Sequence, residues 1–232
     1  QALGEVIGKY AVDLLVTTPT FLRMLMKRAG REKLGKLKMV VTGAEKLPAA
    51  LREEFAQKIG IAVHEGYGMT EASPVVAVNR PGAEKAGTVG KLVEGLEVRT
   101  VDEGTGKGLN RGEAGILEFR GPNIFPGYLG RPDLTEKVLR DGWYHSADFG
   151  RLDLNGFLTI EGRRARFSKI GGEMVPHGVI EENLNEWLEE TKKGRGGGYE
   201  VMVTAVEDEK KGEALVVLHS CELDEVAAER AL

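Results

Sequence analysis

The segment Tyr67-Gly68-Met69-Thr70-Glu71 carries side chains suited to nucleotide chemistry. A glycine lets the backbone approach a phosphate, a threonine supplies a hydroxyl donor, and a carboxylate can hold a hard cation such as Mg²⁺. The tyrosine ring can stack on a base. Taken alone, five such residues are more often an ordinary exposed loop. Their position after a strand pattern, facing Gly43-Ala44-Glu45, favours the functional interpretation.

Asp148 and Arg163 are candidates for binding a sugar. A carboxylate offers two oxygens in one plane to adjacent hydroxyls, and a guanidinium is a planar, permanently charged fork that suits a ribose or a phosphate. An aspartate in a turn at a strand end and a solvated hinge arginine are the alternatives for these positions.

Other classes of site are poorly supported. The glycine-rich segment 104–108 lacks the Ser or Thr of a phosphate loop and follows two acidic residues, so we expect a plain turn there. Four histidines without a helical pair, and the single Cys221, predict no transition-metal site and fit a reducing cytoplasm. A net charge of -4 argues against a nucleic-acid partner, and no apolar run is long enough for a membrane span.

The first 75 residues predict the scaffold that positions these loops. Strands are predicted at 12–16, 37–42 and 61–64, with helices from Thr18-Pro19 to Gly30 and from Pro48 to Gly60. Alternation of strand and helix with short connections predicts parallel pairing. Loops 43–46 and 65–71 then leave the carboxyl ends of neighbouring strands, the edge at which open α/β sheets bind ligands.

From about Thr88 to Ile160 the apolar period becomes two, which predicts a small twisted sheet or barrel with a two-residue turn at Asn155-Gly156. After the basic stretch 162–166 a smaller α+β unit is expected. Its helix carries Ile180, Leu184, Trp187 and Leu188 on one face, and it is followed by the glycine loop 194–198, strands near 199–206 and 214–219, and a helix that reaches Leu232. The expected fold is α/β: a parallel α/β part (1–87), a β-barrel-like part (88–162) and a small α+β domain (163–232).

Four signatures in order resemble the adenylate-forming ligases, the superfamily of acyl-CoA synthetases, luciferases and peptide-synthetase adenylation domains. They are Gly43-Ala44-Glu45, Tyr67 to Glu71, Gly115 to Pro122 with Gly127-Tyr128, and Trp143 to Asp148 followed by Gly162-Arg163. Segments 65–79, 86–90 and 169–175 look like those of acyl-[acyl-carrier-protein] synthetases, including the synthetase half of the bifunctional 2-acylglycerophosphoethanolamine acyltransferase.

The resemblance implies a role for each candidate residue. Gly43, Ala44 and Glu45 would line an adenine pocket, with Gly66 and Gly68 also at the nucleotide and Tyr67 stacked on the base. Thr70 would contact the α-phosphate and Glu71 would hold Mg²⁺, these two being the catalytic pair. Asp148 and Arg163 would bind the ribose, and the last domain would be a truncated lid.

The same resemblance implies an ATP-dependent ligase that joins a fatty acid to a thiol through an acyl-adenylate. ATP/AMP and Mg²⁺ would be the cofactors, with CoA or the phosphopantetheine of an acyl carrier protein as acceptor. The basic cluster Arg163, Arg164, Arg166 and Lys169 would attract an acidic carrier protein, unless it is a solvated hinge. A cytoplasmic location is implied, and peripheral association of the parent with the inner face of the membrane is left open.

Departures from the family pattern leave an alternative open. His145-Ser146-Ala147 stands where Arg-Thr-Gly is usual, which predicts weaker nucleotide affinity, and Ala165 occupies the usual hinge position. In the family a phosphate-gripping loop precedes the region of Gln1 and a catalytic lysine follows that of Leu232, so we expect a fragment that does not turn over. A non-catalytic nucleotide-binding or partner-binding module is therefore the rival hypothesis.

Overall fold

The computed structural model describes residues 2–170, 173–191, 201–208 and 212–220. The chain divides into two compact units: Gln1–Ser146 with Gly150–Ile160, and Ala147–Phe149 with Glu161–Leu232. Among the helices in these ranges, none has the length and apolar character needed to cross a membrane.

The first unit begins with the predicted alternation of helices and strands. Its elements are α1 (Ala2–Tyr10), β1 (Leu14–Thr17), α2 (Pro19–Arg28), α3 (Arg31–Leu34), β2 (Met39–Thr42), α4 (Ala49–Ile59) and β3 (Val63–Gly68). Strand β2 pairs with β1 and β3, and both pairings are parallel. The apolar faces of the helices bury Leu22, Leu51 and Phe55 in one core with Val40. The prediction of a parallel α/β part is confirmed.

Local capping explains where the two longer helices begin and end. The Thr18 hydroxyl accepts a hydrogen bond from the Phe21 N–H, and Pro19 occupies the first turn, where its missing N–H has no cost. Helix α4 ends at Gly60, which adopts φ +84°, a left-handed conformation that is cheap only for glycine. The predicted limits of both helices are confirmed.

The predicted loop 65–71 is wrong for its first four residues. Strand β3 continues through Gly68 because β4 (Val75–Val78) pairs with it antiparallel, and β5 (Lys91–Leu92) extends the same sheet beyond β4. The chain then turns through a short 3₁₀ helix, Thr70–Ala72. The first sheet is therefore mixed, and Gly66, Tyr67 and Gly68 are strand residues.

A second sheet has the strand order β10-β9-β7-β6. Its elements are β6 (Glu97–Val101), β7 (Gly115–Arg120), α5 (Pro132–Val138), β8 (Leu139–Arg140), β9 (Trp143–Leu152) and β10 (Leu158–Arg163). A second apolar core includes Leu117, Phe119 and Leu158. The β-rich character predicted for this region is confirmed.

The turn between β9 and β10 is longer than predicted. Asp153 N–H donates to Phe157 O and Gly156 N–H donates to Asp153 O, so the loop closes around three residues rather than two. The Asp153 carboxylate accepts from the N–H groups of Asn155 and Phe157, and of the Asn-Gly pair only Gly156 has a positive φ, +80°. This side chain stabilises the wider turn.

The second unit is α+β in the residues described. It contains a 3₁₀ turn (Arg164–Arg166), β11 (Phe167–Ile170), β12 (Glu173–Pro176), α6 (His177–Thr191), β13 (Val201–Asp208) and β14 (Gly212–His219). The four strands are ordered β12-β11-β14-β13. Leu184 and Leu188 are buried on the predicted face of α6, and Ile180 and Trp187 are half-buried. The predicted glycine loop 194–198, the helix that reaches Leu232, and Cys221 lie outside the described residues.

Candidate functional site

The two candidate loops of the first unit lie side by side. Thr42, the last residue of β2, is the register partner of Glu65 inside the parallel strand β3, so Gly43 and Gly66 follow at neighbouring positions. A Cβ added to Gly43 would lie 3.1 Å from the Gly66 carbonyl oxygen. Glycine at position 43 therefore permits this close approach of the two backbones.

Glu45 is engaged by the N-terminus of helix α2. Its Oε2 accepts hydrogen bonds from the Thr20 hydroxyl at 2.6 Å and the Thr20 N–H at 3.1 Å. The Thr20 hydroxyl bond is the main reason why the pKa of Glu45 lies below its ordinary value. Before it, Ala44 adopts φ +67°, which turns the chain out of β2. The loop 43–45 is thus fixed by α2 as well as by β2.

Gly66, Tyr67 and Gly68 run along β3. The Tyr67 ring packs partly buried against the second apolar core, with its centroid 6.3 Å from that of Phe119. A Cβ at Gly68 would overlap the Pro74 carbonyl oxygen, whereas one at Gly66 would lie 3.3 Å from Ala77 O. Gly68 is therefore required by the turn that follows β3, a reason that the sequence pattern did not reveal.

Glu71 is held through both its side chain and its backbone. It lies half-buried in the 3₁₀ helix next to the exposed Thr70, and its Oε1 accepts a 2.7 Å hydrogen bond from the Tyr128 hydroxyl. The Glu71 carbonyl accepts from the Phe125 N–H at 2.9 Å. Burial is the main reason why the pKa of Tyr128 lies above its ordinary value, and the hydrogen bond to Glu71 raises it further. The phenol therefore stays a donor at neutral pH. Tyr128 belongs to the third signature, but the sequence pattern does not predict it as a site residue.

The donor set at Glu71 fits a hard cation. Mg²⁺ takes oxygen ligands and is often held by one or two carboxylates together with substrate phosphates. Within the described ranges no three His, Cys, Asp or Glu side chains gather in one place, so a cation at Glu71 would complete its shell with phosphate or water oxygens. Tyr128 bonds to Oε1, and the hydrogen bonds of the described residues include none to Oε2, the oxygen that would face such a cation.

Asp148 and Arg163 both belong to the second unit, whereas the other predicted site residues belong to the first. Arg163 Nε lies 3.5 Å from Asp148 Oδ1, with 78% of the arginine side chain and 14% of the aspartate side chain exposed. The pairing brings together two side chains that sequence reasoning assigned to one sugar. That Glu71, Asp148 and Arg163 surround a single nucleotide stays a prediction.

The residues that depart from the family pattern have contacts of their own. His145 Nδ1 contacts the buried Glu118 carboxylate, which also accepts from Arg99 Nε at 2.5 Å, while Ala147 is exposed. In the basic cluster, Arg166 donates to Glu181, and Glu181 accepts from the Val203 N–H at 2.7 Å. Part of the cluster's charge is therefore neutralised within the second unit.

Comparison with known proteins places this arrangement in a family. The sequence profile of the AMP-binding enzyme family matches residues 1–129. The 4-coumarate–CoA ligase 3 of Oryza sativa subsp. japonica is 33% identical over 192 residues, 79% of this chain and 35% of the relative. The medium-chain fatty-acid–CoA ligase of Escherichia coli K12 is 35% identical over 205 residues, 84% of this chain and 34% of the relative.

Solved structures agree with the sequence matches. ATP-bound MatB from Rhodopseudomonas palustris superposes with a TM-score of 0.79 at 30% identity, covering 94% of this chain and 43% of that one. The Bacillus subtilis o-succinylbenzoate CoA synthetase in complex with AMP gives 0.81 at 25% identity, covering 99% and 46%. The chain spans about a third of the length of the curated relatives it matches. The resemblance carried by the four signatures is confirmed, and the chain belongs to the AMP-binding enzyme family.

Proposed function

We propose that this chain supplies nucleotide-binding residues to an ATP-dependent acid–thiol ligase. In the proposed reaction, a carboxylate oxygen attacks the α-phosphorus of ATP, the bond to the β-phosphate breaks, and pyrophosphate leaves. The thiol sulfur then attacks the acyl carbon, and AMP leaves. Membership of the AMP-binding enzyme family supports a nucleotide substrate. The matched relatives are named as acid–CoA ligases, which supports a carboxylic acid and a thiol as the other two substrates.

The observation that carries the proposal is the juxtaposition of Gly43 and Gly66. It sets the loop 43–45, at the edge where the parallel strands β1 and β2 end, beside β3, the strand that leads to Glu71. This edge is where α/β sheets bind ligands. An anchored carboxylate and an exposed threonine hydroxyl follow within a few residues.

Most of the candidate residues have a task in this proposal. Glu71 holds Mg²⁺ through carboxylate oxygen, and the Thr70 hydroxyl donates to an α-phosphate oxygen. Tyr67 offers its ring to the base, next to the backbone of Gly43, Ala44 and Gly66. Asp148 and Arg163 bind the ribose. Mg²⁺, when bound, neutralises the charge that spreads over the phosphate oxygens during transfer.

For the acid we propose a fatty acid, and for the acceptor the thiol of CoA. Both relatives described above are CoA ligases, which supports the acceptor, and the medium-chain fatty-acid–CoA ligase supports the acid, as the 4-coumarate–CoA ligase supports the aromatic alternative. An acyl carrier protein is the competing acceptor, but one arginine of the basic cluster that would attract it, Arg166, is already bonded to Glu181. A cytoplasmic location, where ATP and CoA are available, accompanies this proposal.

The test is ATP–pyrophosphate exchange by the protein that carries this chain, over a panel of fatty and aromatic acids. We expect exchange with a fatty acid, and a loss of at least tenfold for Glu71→Gln because the cation loses a charged ligand. Glu53→Gln, an exposed glutamate of α4, is the matched control. ATP binding without exchange for any acid would contradict the ligase and favour the non-catalytic module.

A further inference from the structure

The segment Asn123–Tyr128, which follows β7, contacts the turn at residues 69–74, called here the Glu71 turn, and the start of β4. Asn123 Nδ2 donates to the carbonyl oxygens of Ala72 at 2.9 Å and Val75 at 3.1 Å. The Phe125 N–H donates to the Glu71 carbonyl, and the Tyr128 hydroxyl donates to the Glu71 carboxylate. Backbone and side chain of the same acidic residue are therefore fixed by one segment about 50 residues further along the chain.

The turn that carries Glu71 has little internal support. Inside residues 69–74 the described backbone bonds run from Ala72 N–H to Met69 O at 3.0 Å, from Ser73 N–H to Thr70 O at 3.2 Å, and from Met69 N–H to Pro74 O at 2.8 Å. Ser73 adopts φ +52°, an uncommon conformation for a residue with a side chain. A three-residue 3₁₀ helix with such an exit does not fix a carboxylate by itself.

The segment that contacts the turn is itself well anchored. The Phe125 ring packs edge-on against Tyr128 at 4.9 Å and against the buried Tyr144 at 5.6 Å between centroids. The Tyr128 N–H donates to Thr135 Oγ1 at 2.9 Å, and Tyr144 also hydrogen bonds to the Tyr128 side chain. The hydroxyl that meets Glu71 thus has a fixed position.

The orientation of the Asn123 side chain also links this segment to the residues around Glu71. Its Oδ1 is buried and has no hydrogen-bond partner among the described residues, while both of its bonds use Nδ2. An unsatisfied buried oxygen is costly. The Nδ2 group of Asn123 instead donates to two carbonyl oxygens, that of Ala72 in the 3₁₀ helix and that of Val75 at the start of β4.

We infer that Asn123 and Tyr128 are positioning residues for the Glu71 carboxylate and, through it, for the cation that accompanies ATP. The inference rests on the proposed function, because the cation does. Neither residue touches a reactant in this assignment: Tyr128 sets the direction of the carboxylate, and Asn123 sets the backbone from which that carboxylate projects. Partners of this kind around metal ligands change metal affinity when they are removed.

The test measures Mn²⁺ binding in the presence of ATP by electron paramagnetic resonance, together with thermal unfolding. The protein that carries this chain is compared with its Tyr128→Phe and Asn123→Ala variants. We expect Tyr128→Phe to weaken Mn²⁺ binding about three- to tenfold, the range of one net hydrogen bond, with ATP affinity without metal unchanged. Asn123→Ala should act in the same direction with a lower unfolding temperature, because it leaves two carbonyls unpaired.

Controls separate the role of the contacts from loss of a hydroxyl or an amide as such. Tyr10→Phe, in an exposed part of α1, and Asn155→Ala, in the exposed hairpin turn, should bind Mn²⁺ like wild type. Unchanged Mn²⁺ affinity in Tyr128→Phe and Asn123→Ala, with only a lower unfolding temperature, would overturn the inference while the proposed function stands. A wild type that does not bind Mn²⁺ with ATP overturns both.

Discussion

Thr20 donates two hydrogen bonds to Glu45, one from its hydroxyl and one from its backbone N–H, across 25 residues of sequence. Thr20 lies in the first turn of α2, where N–H groups have no partner inside the helix and the helix dipole favours a negative charge. A residue assigned from sequence to the adenine pocket therefore also joins the loop after β2 to the start of α2.

This contact predicts a pH-dependent contribution of Glu45 to stability. Its pKa is lowered in the folded state, so the ionised form is stabilised above the pKa of the unfolded chain, and that stability is lost as the pH falls through the folded pKa. Glu45→Gln should cost about 0.5–1 kcal/mol at neutral pH, the range of a helix-end interaction at an exposed site, and nothing in strong acid.

Urea unfolding at several pH values measures this difference. Glu53→Gln serves as the control because that glutamate is exposed on α4. Equal losses for Glu45→Gln at neutral and at acid pH would show that the charge is not involved.

The limits of prediction from sequence follow from the range of the interactions. Thr18, Pro19 and Gly60 act on their own neighbours, and the helix limits that they predict are confirmed. The continuation of β3 through Gly68 depends on β4, a partner that returns only after the turn at 70–74. A stretch with glycines and a glutamate carries no alternating pattern of its own, so the sequence pattern predicts a loop there.

The candidate site likewise combines features that local sequence predicts with contacts that depend on distant residues. Residue types and order predict Glu71 as a site residue and assign Asp148 and Arg163 to one sugar, and the last two side chains do lie 3.5 Å apart. The partner of Glu71, Tyr128, is 57 residues away, and no spacing rule connects the two. Only the return of the chain after β7 brings that hydroxyl to the carboxylate.

His177 predicts a second pH effect, in the second unit. It is buried, its ring contacts Ser168 Oγ, and burial lowers its pKa, helped by Arg166 and opposed by Glu181 and Glu213. Below its ordinary value of about 6.5 the unfolded chain takes up a proton that the folded chain does not. Stability should therefore fall as the pH drops below that value, by at most about 1.4 kcal/mol per pH unit.

His177→Gln should remove this part of the pH profile. Urea unfolding, followed by the signal of Trp187, the tryptophan of the second unit, measures it. His219→Gln, at an exposed position of β14, is expected to keep the wild-type profile. A His177→Gln profile with the same slope between neutral and mildly acidic pH would rule out this histidine as the source.

Two buried threonines predict opposite effects of one substitution. Thr42 Oγ1 is buried and lacks a hydrogen-bond partner among the described groups, whereas Thr88 Oγ1 donates to Lys85 O at 2.8 Å and accepts from Gly90 N–H at 3.2 Å. Thr42→Val should therefore stabilise the chain by up to about 1 kcal/mol, and Thr88→Val should destabilise it by about 1–3 kcal/mol. The unfolding temperatures of the two isosteric variants give the comparison, and a loss of stability in both would show that Thr42 has a partner.

Gly66 offers a test of the acid that the proposed ligase accepts. A Cβ at this position would lie 3.3 Å from Ala77 O and 3.5 Å from both Val41 Cγ1 and Val78 Cγ2, so one added methyl takes up the room between these groups. Because a methylene in an apolar pocket changes discrimination by roughly tenfold or more, Gly66→Ala should lower the relative exchange rate of the longest accepted acid by about that factor. Shorter acids should be little affected.

Pyrophosphate exchange over straight-chain acids of increasing length measures the shift. Gly108→Ala is the matched variant, since a Cβ there meets no atom within 4 Å. The ratio of long-chain to short-chain rates is the informative quantity, because a general loss of stability lowers both rates together whereas a narrower passage lowers only the first. A ratio equal to that of wild type would mean that the acyl chain does not pass Gly66.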